Sequence, residues 1–177
     1  MRTINLSTLL LISLVSSSFG KYSLPPLEKP IVDPSTGLNV PPGFEVELIH
    51  KVNKQKHGSW IAMAFDKQGR LTVSDQQKAG TFSLEIPKAG EKVDETKIKK
   101  LNVESSLYGM LYAFDHLYMM GNRKLTRAKV MADGSLGPTE FLAEMAGGGE
   151  HGPHSIIVSP DGKSIYVIAG NATQAPK

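Results

Sequence analysis

Three segments of the chain share one layout: an apolar run, a turn holding an aspartate, and a second apolar run. They are WIAMAFDKQGRLTVSD (Trp60 to Asp75), YGMLYAFDHLYMMGN (Tyr108 to Asn122) and HSIIVSPDGKSIYVIAGN (His154 to Asn171). Their turn aspartates, Asp66, Asp115 and Asp161, stand 49 and 46 residues apart. That interval leaves room for two more strands in each copy, and TFSLEIPK (Thr81 to Lys88) and KLTRAKVMADG (Lys124 to Gly134) follow the first two copies at similar offsets. Four short strands recurring at this period describe a β-propeller blade, a sheet that cannot bury both of its faces alone and stacks radially on its neighbours. The reading is therefore all-β, a partial β-propeller of about two and a half to three blades, where a closed ring needs about four to eight. A small self-contained β-sandwich is the alternative; it accounts for the strands but not for their spacing. On the propeller reading the chain is the front part of the ring, and its last inner strands have an open edge.

The rest of the chain divides by composition. Residues 1–20 carry Arg2, the apolar run LLLISLV (Leu9 to Val15) and the small-residue stretch SSSFG before Lys21. This order of charge, apolar core and small residues is that of a secretory signal, cleaved near Gly20, and it predicts a secreted or periplasmic product. The run is too short to span a bilayer. Residues 21–43 hold LPPLEKP, VDP and VPPG with no sustained periodicity, an extended lead-in to a domain covering 44–177. From Phe44 onward no segment shows a convincing helical period, and turn chemistry such as DKQGR, ADGS and PDGK separates the apolar runs.

Charge and cysteine usage exclude several function classes. The formal net charge is +3 and falls to +2 once Arg2 leaves with the signal, too little to argue for nucleic acid. The most basic patch, KVDETKIKK (Lys92 to Lys100), has acids mixed in and reads as a solvated strand or loop. The chain has no cysteine, so a disulfide framework, a thiolate zinc site and covalently attached haem are all excluded.

The chemistry-bearing stretch is GGGEHGPH, Gly147 to His154, entering the third hairpin. Its glycines let the backbone approach a ligand or a neighbouring sheet closely. Gly152-Pro153 forbids a helix, so Glu150, His151 and His154 cannot be a helical zinc motif. They are read as a loop metal site lacking a third firm ligand, as a general base for a hydroxyl substrate, or as imidazoles that hydrogen-bond the turn. His57 is either a second imidazole facing the same channel or an exposed loop residue, and His116 is a solvated turn residue. Met63, Met110, Met119 and Met120 are assigned to the core, and Trp60 is read as a blade-packing residue and not as a stacking platform. Asn171-Ala172-Thr173 fits the glycosylation triplet.

These segments, GEHGPHSIIVSPDGKSIYVIAGN above all, resemble the N-terminal part of the glucose/sorbosone dehydrogenase-like propellers of the secreted planctomycete and verrucomicrobial type. The resemblance covers most of residues 44–177. It implies a six-bladed propeller that binds pyrroloquinoline quinone with calcium and oxidises a sugar or alcohol hydroxyl by hydride transfer. It also implies that His151, ten residues before Asp161, is the proton acceptor, with His154 and Glu150 on the cofactor side. Asn171 stands where the family has the acid that orients the histidine; an amide can orient an imidazole but cannot stabilise the imidazolium by charge. The later blades, which carry the calcium ligands and most quinone contacts, have no counterpart in this chain, so it is expected to be inactive alone unless a second chain completes the ring. A non-catalytic secreted binding or scaffold module, or a gene remnant, is the other expectation.

Overall fold

The computed structural model describes residues 31–32, 37–147 and 151–173. The predicted signal, most of the predicted lead-in, and Glu150 lie outside them. By its internal packing the chain divides into two units, 1–46 and 47–177. In the first, β1 (Ile31–Val32) pairs antiparallel with β2 (Asn39–Val40), Ile31 opposite Val40.

The second unit is built almost wholly of antiparallel strands. β3 (Trp60–Phe65), β4 (Leu71–Asp75), β5 (Thr81–Leu84) and β6 (Lys99–Lys100) form a four-stranded sheet in chain order. β7 (Leu107–Ala113), β8 (His116–Gly121), β9 (Lys124–Val130) and β10 (Leu136–Glu144) form a second of the same order, and β11 (Pro153–Val158) pairs with β12 (Ile165–Ala169) as a hairpin. The described strands close neither a barrel nor a ring. A single helical turn, α1 (Lys54–His57), precedes β3. It has no apolar periodicity to announce it; the Asn53 side chain makes it by accepting from the amides of Gln55 and Lys56.

The three turn aspartates do different work. Asp66 accepts from the amides of Gln68 and Arg70, each at 2.9 Å, and pairs with the Arg70 guanidinium at 2.7 Å. Asp115 shares with Phe114 a two-residue turn in which both φ angles are positive, 56° and 49°, the mirror-image turn whose twist suits a hairpin. Asp161 accepts from the Ser159 hydroxyl at 2.6 Å and the Lys163 amide at 3.1 Å.

The sheets stack face to face. β3 packs on β7, and β11 packs on β7 and β8. Ala62 and Ala64 give the first sheet a shallow face on which Leu107, Met110, Leu117 and Met119 of the second are buried. The second sheet's other face, with Tyr118, Met120 and Leu111, takes Ile156, Ile165 and Val167 from the hairpin. Polar contacts fix the first two sheets in the same direction: the Ser106 amide donates to the Asp75 carbonyl, 2.8 Å, near one end, and Lys67 pairs with Asp115, 2.5 Å, near the other. Between them the Thr72 hydroxyl and the Tyr112 phenol lie 2.9 Å apart.

One core assignment differs from expectation. Met110, Met119 and Met120 are buried, but Met63 is 69% exposed. The strand period of two explains it: with Ala62 and Ala64 turned to the second sheet, Met63 and Phe65 must face away, where no described sheet lies. Val93 and Ile98 cover that face over β4 and β5, leaving β3 bare. Trp60 packs as expected, against the core formed by Val73, Phe82 and Leu84 of its own sheet, with the His50 ring stacked on it at 5.3 Å.

Candidate functional site

Each hairpin carries the same irregularity near the start of its first strand. The register slips by one residue between Trp60 and Ala62, between Leu107 and Gly109, and between Pro153 and Ser155. The extra residues are Ile61, Tyr108 and His154. Such bulges bend a strand and re-aim a side chain, and they are frequent beside functional sites. His154 is therefore aimed by the bulge and not by the alternation of β11. Its ring is half-buried, and Nδ1 is buried with no hydrogen-bond partner.

The turn that precedes β11 is stitched to the segment that follows β12. The carbonyl of His151 accepts from the Ala172 amide and that of Gly152 from the Gly170 amide, both at 2.9 Å. Gly147 bridges to Thr173. These bonds fix the backbone of His151 while leaving its ring exposed, without a hydrogen-bond partner among the described residues. Asn171, flanked by the two donors, is brought to the same rim and is exposed; no bond joins its amide to either imidazole. Glu150 lies outside the described residues. Among those residues no three His, Asp or Glu side chains gather to hold a cation, so the calcium implied by the resemblance finds no ligand set here.

The same end of the stack holds a feature that the sequence reading passed over. Asp75, at the end of β4 and 2% exposed, accepts from the amides of Ser59 at 2.6 Å, Ala79 at 2.8 Å and Gln77 at 2.9 Å. Burial raises its pKa, but these backbone bonds outweigh it and hold the carboxyl below its ordinary value. A Cβ on Gly58 would overlap that carboxylate, so glycine is required there. The only sequence sign was a polar run, SDQQKAG, after an apolar strand.

His57 and His116 belong to neither site. His57 ends α1 with its ring edge-on to Phe82 at 5.1 Å and Nδ1 buried, so it is neither a channel residue nor an exposed loop residue. His116 opens β8, its ring half-buried and its Nδ1 at 2.6 Å from the Phe114 carbonyl. A cleft of about 220 Å³ lined by Lys67, Tyr112, Asp115, His116 and Met131 sits among the hairpin turns, at the opposite end from His151. The cleft and the histidine turn are thus separate.

No family model matches the chain, and no curated protein matches it. Among solved structures the chain is similar to a Trichoderma reesei carbohydrate-active enzyme of family AA12, with a TM-score of 0.61 and 16% identity. The match covers 84% of this chain and 36% of that one, so the chain spans about a third of the length of the structure it resembles. At that identity the likeness establishes the all-β fold alone. It also corrects the resemblance drawn from the sequence. The chain is not assigned to the glucose/sorbosone dehydrogenase-like propellers: no model of that family matches, the structural likeness falls on family AA12, and the described strands show no propeller. The physical reason is that short apolar strands with PDG turns recur in any stack of β-hairpins, whatever its family.

Proposed function

We propose that this chain supplies the proton-accepting histidine for oxidation of a sugar or alcohol hydroxyl, as one part of a larger all-β assembly. The observation that carries this is His151, an exposed imidazole on a backbone stitched at both sides, on a fold shared with an enzyme described as carbohydrate-active. On this reading His151 would take the proton of the substrate hydroxyl at its imidazole, and a quinone held by the rest of the assembly would supply the acceptor for the hydride that leaves the adjacent carbon as the carbonyl forms. The described residues do not themselves hold that quinone. An imidazole within reach of the hydroxyl is chemically suited to act as general base. Asn171, on the same rim, is the residue to orient it. On this reading the two four-stranded sheets and the hairpin are successive blades of a radial stack, and the product is secreted or periplasmic after loss of the leader.

One observation favours a second reading, a binding or scaffold module with a structural histidine turn: His154 is half-buried, and its backbone is wedged against the second sheet at Gly109. The two readings part at His151. Quinone-dependent dye reduction by the assembled protein should vanish in His151→Ala and be spared in Asn122→Ala, an exposed residue on a different hairpin. Unchanged turnover in His151→Ala would leave the scaffold reading in possession.

A further inference from the structure

The buried Asp75 carboxylate holds together two walls of one hollow. Its Oδ1 accepts from the amide of Ser59, just after α1, and its Oδ2 from those of Gln77 and Ala79 in the turn after β4. Between α1 and that turn lies a space of about 420 Å³, with Lys54 and Gln55 on one side and Gln76, Gln77 and Lys78 on the other. Small-molecule sites commonly fall between about 300 and 1,000 Å³. Both walls come from one continuous stretch, Lys54 to Ala79, so the hollow does not depend on either end of the chain.

The backbone of the turn is already committed. The Gln76 amide donates to the Ser59 carbonyl at 2.9 Å, and the carbonyls of Gln76 and Gln77 accept from the hydroxyls of Ser106 at 2.9 Å and Ser105 at 2.6 Å. Gly58 lets the end of α1 come down onto Asp75, where any side chain would overlap the carboxylate. The side chains are the opposite case. Lys54, Gln55, Gln76, Gln77 and Lys78 are all exposed, and none has a hydrogen-bond or ion-pair partner among the described residues. A fixed backbone that presents uncommitted polar groups to one space has little order left to lose when a ligand enters.

The groups present specify the ligand. Two ammonium groups flank the hollow, and the one acid beside them, Asp75, has its oxygens occupied by three amides, so the space calls for negative charge. Each glutamine amide offers both donors and an acceptor, which suits hydroxyl groups that both give and take hydrogen bonds. Phosphate recognition favours arginine forks and free backbone amides. The hollow has no arginine, and its Gln77 and Ala79 amides are spent on Asp75. We propose that it binds an acidic saccharide, a uronate whose carboxylate sits on Lys54 and Lys78 and whose hydroxyls meet Gln55, Gln76 and Gln77. The proposal stands apart from the chemistry at His151.

The test is calorimetric titration of the full chain with trigalacturonate, which should bind, and more weakly as salt is raised. Maltotriose, a trisaccharide without charge, and tricarballylate, three carboxylates without a hydroxyl, should each bind at least tenfold more weakly. Lys54→Gln combined with Lys78→Gln should lower the trigalacturonate affinity at least tenfold and leave the melting temperature unchanged, since neither lysine has a partner to lose. Gln76→Ala combined with Gln77→Ala should lower the affinity several-fold and narrow the preference over tricarballylate. No binding of trigalacturonate at millimolar concentration overturns the proposal. Equal binding of maltotriose overturns the role of the lysines, and equal binding of tricarballylate reduces the site to a patch of charge. Affinity kept in the double lysine variant places the binding elsewhere and also overturns it. Dye reduction takes no part in this test, so its failure and the failure of the histidine reading are distinguishable.

Discussion

The carbonyl oxygen of His154 lies so close above the α-carbon of Gly109 that no side chain fits between them. The two residues come from facing elements, β11 and β7, and the bulge at His154 produces the approach by turning its peptide toward the second sheet. Gly109 does not have a positive φ, so its glycine is required by contact alone. Gly109→Ala should therefore push the hairpin off the sheet and cost about 1–3 kcal/mol, the usual range for overpacking. Thermal unfolding followed by circular dichroism would show it, and a melting point within a degree of the unmodified protein would mean that the hairpin sits elsewhere.

Asp75 gathers three backbone amides that would otherwise be left unpaired beside α1 and the turn after β4. Asp75→Ala should cost about 2–3 kcal/mol, since hydrogen bonds to a charged group exceed neutral ones. The carboxyl's pKa is lower folded than unfolded. Its contribution is thus complete at neutral pH, above the unfolded value of about 4, and is lost as pH falls through the lower folded value. Urea unfolding between pH 2 and 7 should show a steeper acid loss in the unmodified protein than in Asp75→Asn; identical slopes would contradict the assignment.

Tyr112 and Thr72 tie the first two sheets together at mid-height, and Thr72 is fully buried. Tyr112→Phe should cost about 1 kcal/mol, because it leaves the threonine hydroxyl without its partner. Burial raises the Tyr112 phenol above its ordinary pKa. Ultraviolet titration should accordingly show a late-ionising tyrosine that is absent in Tyr112→Phe.

The two histidines of the turn should separate in stability as well as in chemistry. His151→Ala removes an exposed ring and should stay within about 0.5 kcal/mol of the unmodified protein. His154→Ala removes a half-buried one at the bulge and should cost about 1–2 kcal/mol, within the common range for such substitutions. Chemical denaturation of both variants would settle the order; a larger loss for His151 would show that its ring, and not only its backbone, holds the rim.

Much of the strand pattern was legible because it depends on local rules. β3–β4, β7–β8 and β11–β12 lie where alternation and the aspartate turns put them, and β5 and β9 fall inside the weaker runs. β10 was not read: LGPTEFLAE contains proline and mixes charge with apolar residues, yet it forms a nine-residue strand because it lies along β9 as the outer member of the sheet. Met63 was misplaced for a related reason. Alternation says that Met63 and Ala62 face opposite ways, but which of the two is covered depends on the neighbouring sheet. At the site, the spacing of His151 and His154 was plain, whereas the bulge separating their roles and the amides around Asp75 arise only from pairing between distant residues.

The bulges shared by the three hairpins bear on how such a chain tolerates change in length. Counted from its turn, each first strand keeps a strict parity as far as the extra residue, and there the count is reset. A change in length beyond it leaves the parity of the strand on the turn side, and so its buried faces, as they are. Rims as unlike as HGSW, SSLYG and HGPHS thus sit on hairpins of one build, while Gly58, Leu107 and Gly109 within them stay fixed by what they touch.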